Sequence, residues 1–131
     1  MLGQDPEFHS VQKRAATELR TELLYRQIDV RDQEMLNSVV EKIADREGRI
    51  DGLLAAAGIQ QEVPALEVSA QDSNVMYEVN CTGVLMTAQA VAKQMIRFGK
   101  GGSMVFIASM SGTVVNKVVP PPTCHHDSHP N

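Results

Sequence analysis

The sequence predicts an α/β fold, a partial doubly wound arrangement with a parallel sheet of about three strands and flanking helices. Short apolar runs at residues 24–30, 50–57 and 103–108 alternate with longer segments whose apolar residues recur at helical spacing. A strand–helix–strand–helix–strand order of this kind makes parallel strands with right-handed crossovers. The 131 residues, 43% hydrophobic and 21% charged, suit one globular domain, or part of one, with its own core.

Asp5 followed by Pro6 opens the first helix, with a capping side chain ahead of a proline in the first turn. Val11, Ala15, Leu19 and Leu23 continue it as one apolar face. Residues 24–30 read as a short strand with Tyr25, Ile28 and Val30 as its apolar members. Over Gln33–Glu47, Met35, Leu36, Val39, Val40, Ile43 and Ala44 form one stripe opposite Glu34, Glu41, Lys42, Asp45 and Arg46. Asp32 caps this helix and Gly48 stops it. Residues 50–57 are apolar apart from Asp51 and glycine, as expected of a strand covered on both faces. After the break at Pro64, Ser69 and Asp72 make a capping-box-like start to a long helix. Val84, Ala88, Val91 and Met95 line one side of that helix until Gly99, Gly101 and Gly102 end it. Residues 103–108 then supply the third buried strand.

Past Lys117 the character changes. Consecutive prolines stop regular structure and aperiodic polar residues follow, which divides the chain into a domain at 1–117 and an exposed, disordered tail at 118–131. Cys124, His125, His126 and His129 in that tail are not spaced as a zinc site, and no metal is expected. Cys81 and Cys124 are too few and too far apart for a disulfide scaffold, and both are expected as thiols. The net charge of −4, without a long basic run, argues against nucleic acid and anionic membranes as partners. No apolar stretch is long enough for a bilayer, and the first residues lack the form of a signal peptide, so a cytoplasmic protein is expected.

The residues able to carry chemistry lie at strand ends. Asp29 and Val30 close the first strand, and on their own they read equally as a turn or as part of a ligand edge. Ala55, Ala56, Ala57 and Gly58 close the second, and taken alone describe a tightly packed strand end. Asn80 is unfavourable inside a helix, where its side chain competes for backbone hydrogen bonds, so something must compensate. Ser109 ends the third strand at the carboxyl edge, with Ser111 as a weaker candidate.

Together, MYEVNCTG (76–83) and GSMVFIASMSG (102–112) resemble the middle of a short-chain dehydrogenase/reductase, and the resemblance covers residues 5–116. It implies a Rossmann-like fold, NAD or NADP as cofactor, and a small carbonyl or polyol substrate. It further implies that Asp29 accepts a hydrogen bond from the adenine amino group, helped by the Val30 backbone. Ala55, Ala56 and Gly58 fall within the position of the family's Asn-Asn-Ala-Gly motif, where cofactor approaches backbone. Asn80 and Gly83 match an Asn-x-x-Gly motif whose asparagine bends the helix and holds a water of the proton relay. Ser109 matches the serine that binds the substrate oxygen. AAAGIQQEVPAL and FIASMSGTVVNK are similar to the branch that reduces sugars and polyols in fungi.

The family's Gly-x-x-x-Gly-x-Gly turn and Tyr-x-x-x-Lys pair are missing, so the expectation is a truncated relative that is inactive as written. The alternatives are a non-enzymatic module pairing with itself or an intact family member, and an incomplete reading frame. Topology adds an expectation. In the family's strand order 3-2-1-4-5-6-7, this chain supplies strands 3, 4 and 5. Its first strand must therefore pair anew or be loosely held, and open sheet edges invite self-association.

Overall fold

The computed structural model describes residues 6–109. Along the chain these form α1 (Pro6–Glu18), α2 (Gln33–Glu47), β1 (Gly52–Ala55), α3 (Ala70–Tyr77), a π-helical segment (Glu78–Gly83), α4 (Val84–Phe98) and β2 (Ser103–Phe106). Asp5, Ser111, the 118–131 segment and the Cys124, His125, His126 and His129 cluster lie outside the described residues.

The helices begin and end where side-chain chemistry supplies the missing backbone partners. Asp32 Oδ1 accepts from the Met35 N–H at 2.9 Å and caps α2. Gly48 closes the same helix with φ +69°, its N–H reaching the Ala44 carbonyl at 2.8 Å. Ser69 Oγ accepts from the Asp72 N–H at 3.0 Å and donates to Asp72 Oδ2 at 2.6 Å, a capping arrangement that starts α3. Gly99 ends α4 in the left-handed conformation.

β1 and β2 pair in parallel, with Gly52 opposite Ser103 and Ala55 opposite Phe106. The core lies on one side of this sheet. Leu36 and Val40 of α2 meet Ala90, Val91 and Met95 of α4, with Leu53 and Met104 of the strands packed against them. The α2 stripe turns Leu36, Val40 and Ala44 inward and leaves Met35 and Ile43 exposed, because a helix on a single sheet face buries only its innermost row. α4 buries Ala90 along with the expected Val91 and Met95, while Val84 and Ala88 are half-buried.

Three expectations change. The sheet has two strands among the described residues, and residues 24–30 do not form the third. A strand needs a neighbour to receive its donors and acceptors, and none lies alongside this segment. Side chains hold it instead: Gln12 Nε2 donates to the Leu23 carbonyl at 2.9 Å, Phe8 meets Tyr25 edge-on at 5.7 Å, and Ile28 packs on the core. Secondly, α1 stops at Glu18, where Arg20 takes a φ of +52°, so Leu19 is 73% exposed and leaves the apolar face. Thirdly, among the described residues the strands are covered on one face only. Leu54 is 63% exposed and Val105 53%, since α2 and α4 both pack on the side of Leu53 and Met104.

Gly83 fixes the 24–30 segment against the helical layer. A Cβ there would lie 2.5 Å from Val30 Cγ2, 3.0 Å from Val30 Cβ and 3.3 Å from the Glu78 carbonyl. Gly83→Ala gains about 1 kcal/mol of helix propensity but forces an overpacking cost of about 1–3 kcal/mol, because the neighbour is a stiff β-branched side chain and a carbonyl. The expected outcome is net destabilisation in urea melts, partly relieved in the Val30→Ala/Gly83→Ala double variant. Simple additivity of the two changes would refute the contact.

Candidate functional site at the carboxyl edge of the sheet

The sheet is parallel, so β1 and β2 end on the same edge, and the candidate residues follow from that geometry. Ala55 is buried at the end of β1, and the Ile107 N–H extends the pairing by donating to its carbonyl at 3.2 Å. Ala56, Ala57 and Gly58 then run out exposed, small enough to leave their backbone open to a ligand. Ser109, also exposed, comes three residues after β2. Continuing the register brings it level with Gly58.

Asn80 occupies the π-helical segment between α3 and α4. A π turn holds one residue more than an α turn and displaces local carbonyls from the regular ladder, a form common at functional sites. Both ends of the Asn80 amide are engaged. Its Oδ1 accepts from the Ile59 N–H at 2.8 Å and its Nδ2 donates to the Ile59 carbonyl at 2.9 Å. This two-bond bridge is the compensation that an asparagine inside a helix requires, and it ties the loop after β1 to the helical layer. Gly58 lies beside this bridge, where a Cβ would come into ordinary contact with Asn80 Oδ1 at 3.4 Å.

Three residues after Asn80, Gly83 receives the Val30 side chain, so Asp29 and Val30 are joined to the same helical segment from the other side. The structure thus connects Asp29–Val30, Asn80–Gly83 and Gly58–Ile59 in one continuous set of contacts. Asp29 is tightly engaged: Arg31 Nη2 donates to its Oδ2 at 2.6 Å and Arg31 Nε to its Oδ1 at 3.0 Å. Hydrogen bonding by the guanidinium, then by the Arg31 N–H, lowers the carboxyl to about 2. The pairing in turn raises Arg31 above its usual value, first through hydrogen bonding to Asp29.

Arg31 and Ile59 carry weight here that sequence reading did not assign. The Asp-x-Arg spacing of residues 29–31 is a readable charge pattern, whereas a backbone partner such as Ile59 has no side-chain signature. Among the described residues no group of three or more His, Cys, Asp or Glu side chains is arranged to hold a metal ion.

A nicotinamide dinucleotide is tested by the same geometry. The small 56–58 backbone and the close Gly58–Asn80 approach fit a flat ring and ribose at the strand end. The pyrophosphate finds no Gly-x-x-x-Gly-x-Gly turn in these 131 residues.

Loss of the Asn80 amide is expected to cost about 1–3 kcal/mol, two hydrogen bonds at about 0.5–1.5 each. Asn80→Asp separates the two bonds: a carboxylate still accepts from the Ile59 N–H but repels the Ile59 carbonyl. That repulsion raises the variant's carboxyl in the folded state, so the variant regains stability as pH falls through about 4 and loses it as pH rises. Urea melts at pH 3.5 and 7, each referred to wild type, check this, and a pH-independent penalty would count against the bridge.

Comparison with known proteins agrees with this geometry. The sequence model described as short chain dehydrogenase matches residues 4–121. The chain is 34% identical over 108 residues to the short chain dehydrogenases/reductase notP' of Aspergillus versicolor, covering 82% of this chain and 37% of that protein. It is 34% identical over 85 residues to sorbitol dehydrogenase of Cereibacter sphaeroides, covering 65% of this chain and 33% of the relative. The chain therefore spans about a third of the length of these curated relatives. Among solved structures, a short-chain type dehydrogenase/reductase from Mycobacterium marinum superposes with a TM-score of 0.77 at 28% identity, over 86% of this chain and 45% of that one. Carveol dehydrogenase from Mycobacterium avium in complex with NAD gives 0.74 at 29% identity, over 92% and 42%. The family model spans most of the chain and the fold superposes on solved members: this chain belongs to the short-chain dehydrogenase/reductase family.

Proposed function

We propose that the chain is the central portion of an NAD(P)-dependent oxidoreductase acting on the carbonyl or hydroxyl group of a sugar or polyol. The observation that carries this is the connected edge just described, where Asn80 braces the Gly58–Ile59 loop at the end of β1 and Ser109 follows the end of β2. Similarity to sorbitol dehydrogenase supports the substrate class, and the NAD complex of carveol dehydrogenase supports the cofactor class. On this reading Ser109 hydrogen-bonds the substrate oxygen and Asn80 positions the loop beneath it. Ala55, Ala56 and Gly58 flank the ribose and nicotinamide. Asp29, with the Val30 backbone, receives the adenine. The nicotinamide supplies hydride chemistry when bound. A cytoplasmic setting belongs to the same reading. No helix among the described residues is long and apolar enough to cross a membrane.

These residues leave one task unassigned, the exchange of a proton with the substrate oxygen. Tyr25 and Tyr77 are the chain's two tyrosines, and both precede Ser109. As 131 residues, the chain is expected to show no NADH- or NADPH-dependent turnover of ketoses in a 340 nm assay, because no residue is left to exchange the proton. Turnover that disappears in Ser109→Ala would overturn the inactive reading while upholding the family chemistry.

The bare sheet face supports a second reading, an interaction module pairing with itself or an intact family member. Leu54, Val105 and Ile107 are all more than half exposed there. Light scattering after size exclusion tests it: a monomer that retains no intact reductase on mixing would remove it.

A further inference from the structure

Asp29 sits on a turn whose backbone is held at several points. Its carbonyl accepts from the Asp32 N–H at 3.0 Å, Asp32 caps α2, and Val30 is seated on Gly83. Motion at this corner is therefore concentrated in side chains. A carboxylate has about four lone-pair directions, and Arg31 takes them up. Its N–H donates to Oδ1 at 3.0 Å, Nε to Oδ1 at 3.0 Å and Oδ2 at 3.1 Å, and Nη2 to Oδ2 at 2.6 Å. Both side chains are about half-exposed, so the pairing is easily exchanged despite its good geometry.

Resting on the reading in which Asp29 receives the adenine amino group, we propose that Arg31 is a latch that competes with that amino group for the Asp29 carboxylate and so sets how tightly adenine is held. Its guanidinium covers both Asp29 oxygens and turns aside into solvent when a 6-aminopurine donates to that carboxylate. The Arg31 N–H, fixed by the turn, keeps its bond to Oδ1 throughout, so the latch works by guanidinium rotation with the backbone in place. A 6-oxopurine has no amino group to offer and gains nothing from displacing the guanidinium.

The test is titration of the 131-residue protein with adenosine and, separately, inosine, followed by amide and carboxyl NMR in wild type and Arg31→Ala. Arg31→Ala is expected to bind adenosine about two- to fivefold more tightly, the range of a modest exposed ion pair, with inosine unchanged. Amide dispersion in the same spectra checks folding independently of ligand, and in the folded Arg31→Ala protein the Asp29 carboxyl is expected to rise toward the usual carboxylate range once the guanidinium is gone. Equal or weaker adenosine binding by Arg31→Ala, or an equal gain for inosine, overturns the latch. If adenosine perturbs residues 29–32 without that gain, only the latch falls. If it perturbs none of them in any protein, the adenine reading falls with it.

Discussion

The two hydrogen bonds between the Asn80 amide and the Ile59 backbone are the constraint on which the arrangement of the site depends. The sheet ends at Ala55, and beyond it the chain has no strand partner except the single bond from Ile107. Without the bridge, the loop carrying Gly58 and Ile59 would be free to move relative to the helical layer. With it, the end of β1, the π-helical segment and, through Gly83 and Val30, the Asp29 turn share one frame. The π-helical segment and the bridge coincide at Asn80, where local departure from the α ladder is matched by a tertiary bond.

The helices were largely legible in the sequence. The Gln33–Glu47 helix has its predicted limits because both ends are decided locally, by Asp32 at one end and Gly48 at the other. The Ser69–Asp72 start and the Gly99 stop were legible for the same reason. Strand formation at 24–30 was the expectation that failed. Its alternating apolar residues are a pattern for burial, and Ile28 and Val30 do pack inward. Pairing, however, depends on a neighbouring strand, which local pattern does not encode. One-sided burial of β1 and β2 was unreadable for a related cause, since continuous apolar residues describe a strand suited to two covered faces whether or not both layers are present.

Site residues divide along the same line. Asn80 announced itself as an anomaly inside a helical pattern, Gly83 as the glycine three residues on, and Gly58 as the small residue closing a strand. The structure gives each a place: a backbone partner for the amide, a position beside that bridge for one glycine and a seated valine for the other. Arg31 drew no such notice, because an arginine two residues after an aspartate is ordinary at a helix start. Its hold on Asp29 depends on the turn that aims both side chains to the same side.

The parallel pairing of β1 with β2 also bears on how the chain reaches its native state. Gly52 pairs with Ser103, 51 positions along, so no hydrogen bond of the sheet can form as a local hairpin. The intervening α3, π-helical segment and α4 must be made and docked before the ladder closes, an order that loop-closure entropy makes slow. During synthesis, the apolar strand at Gly52–Ala55 leaves the ribosome well ahead of its partner. Its early life therefore favours chaperone capture, and the rate of elongation through α4 sets how long that exposure lasts.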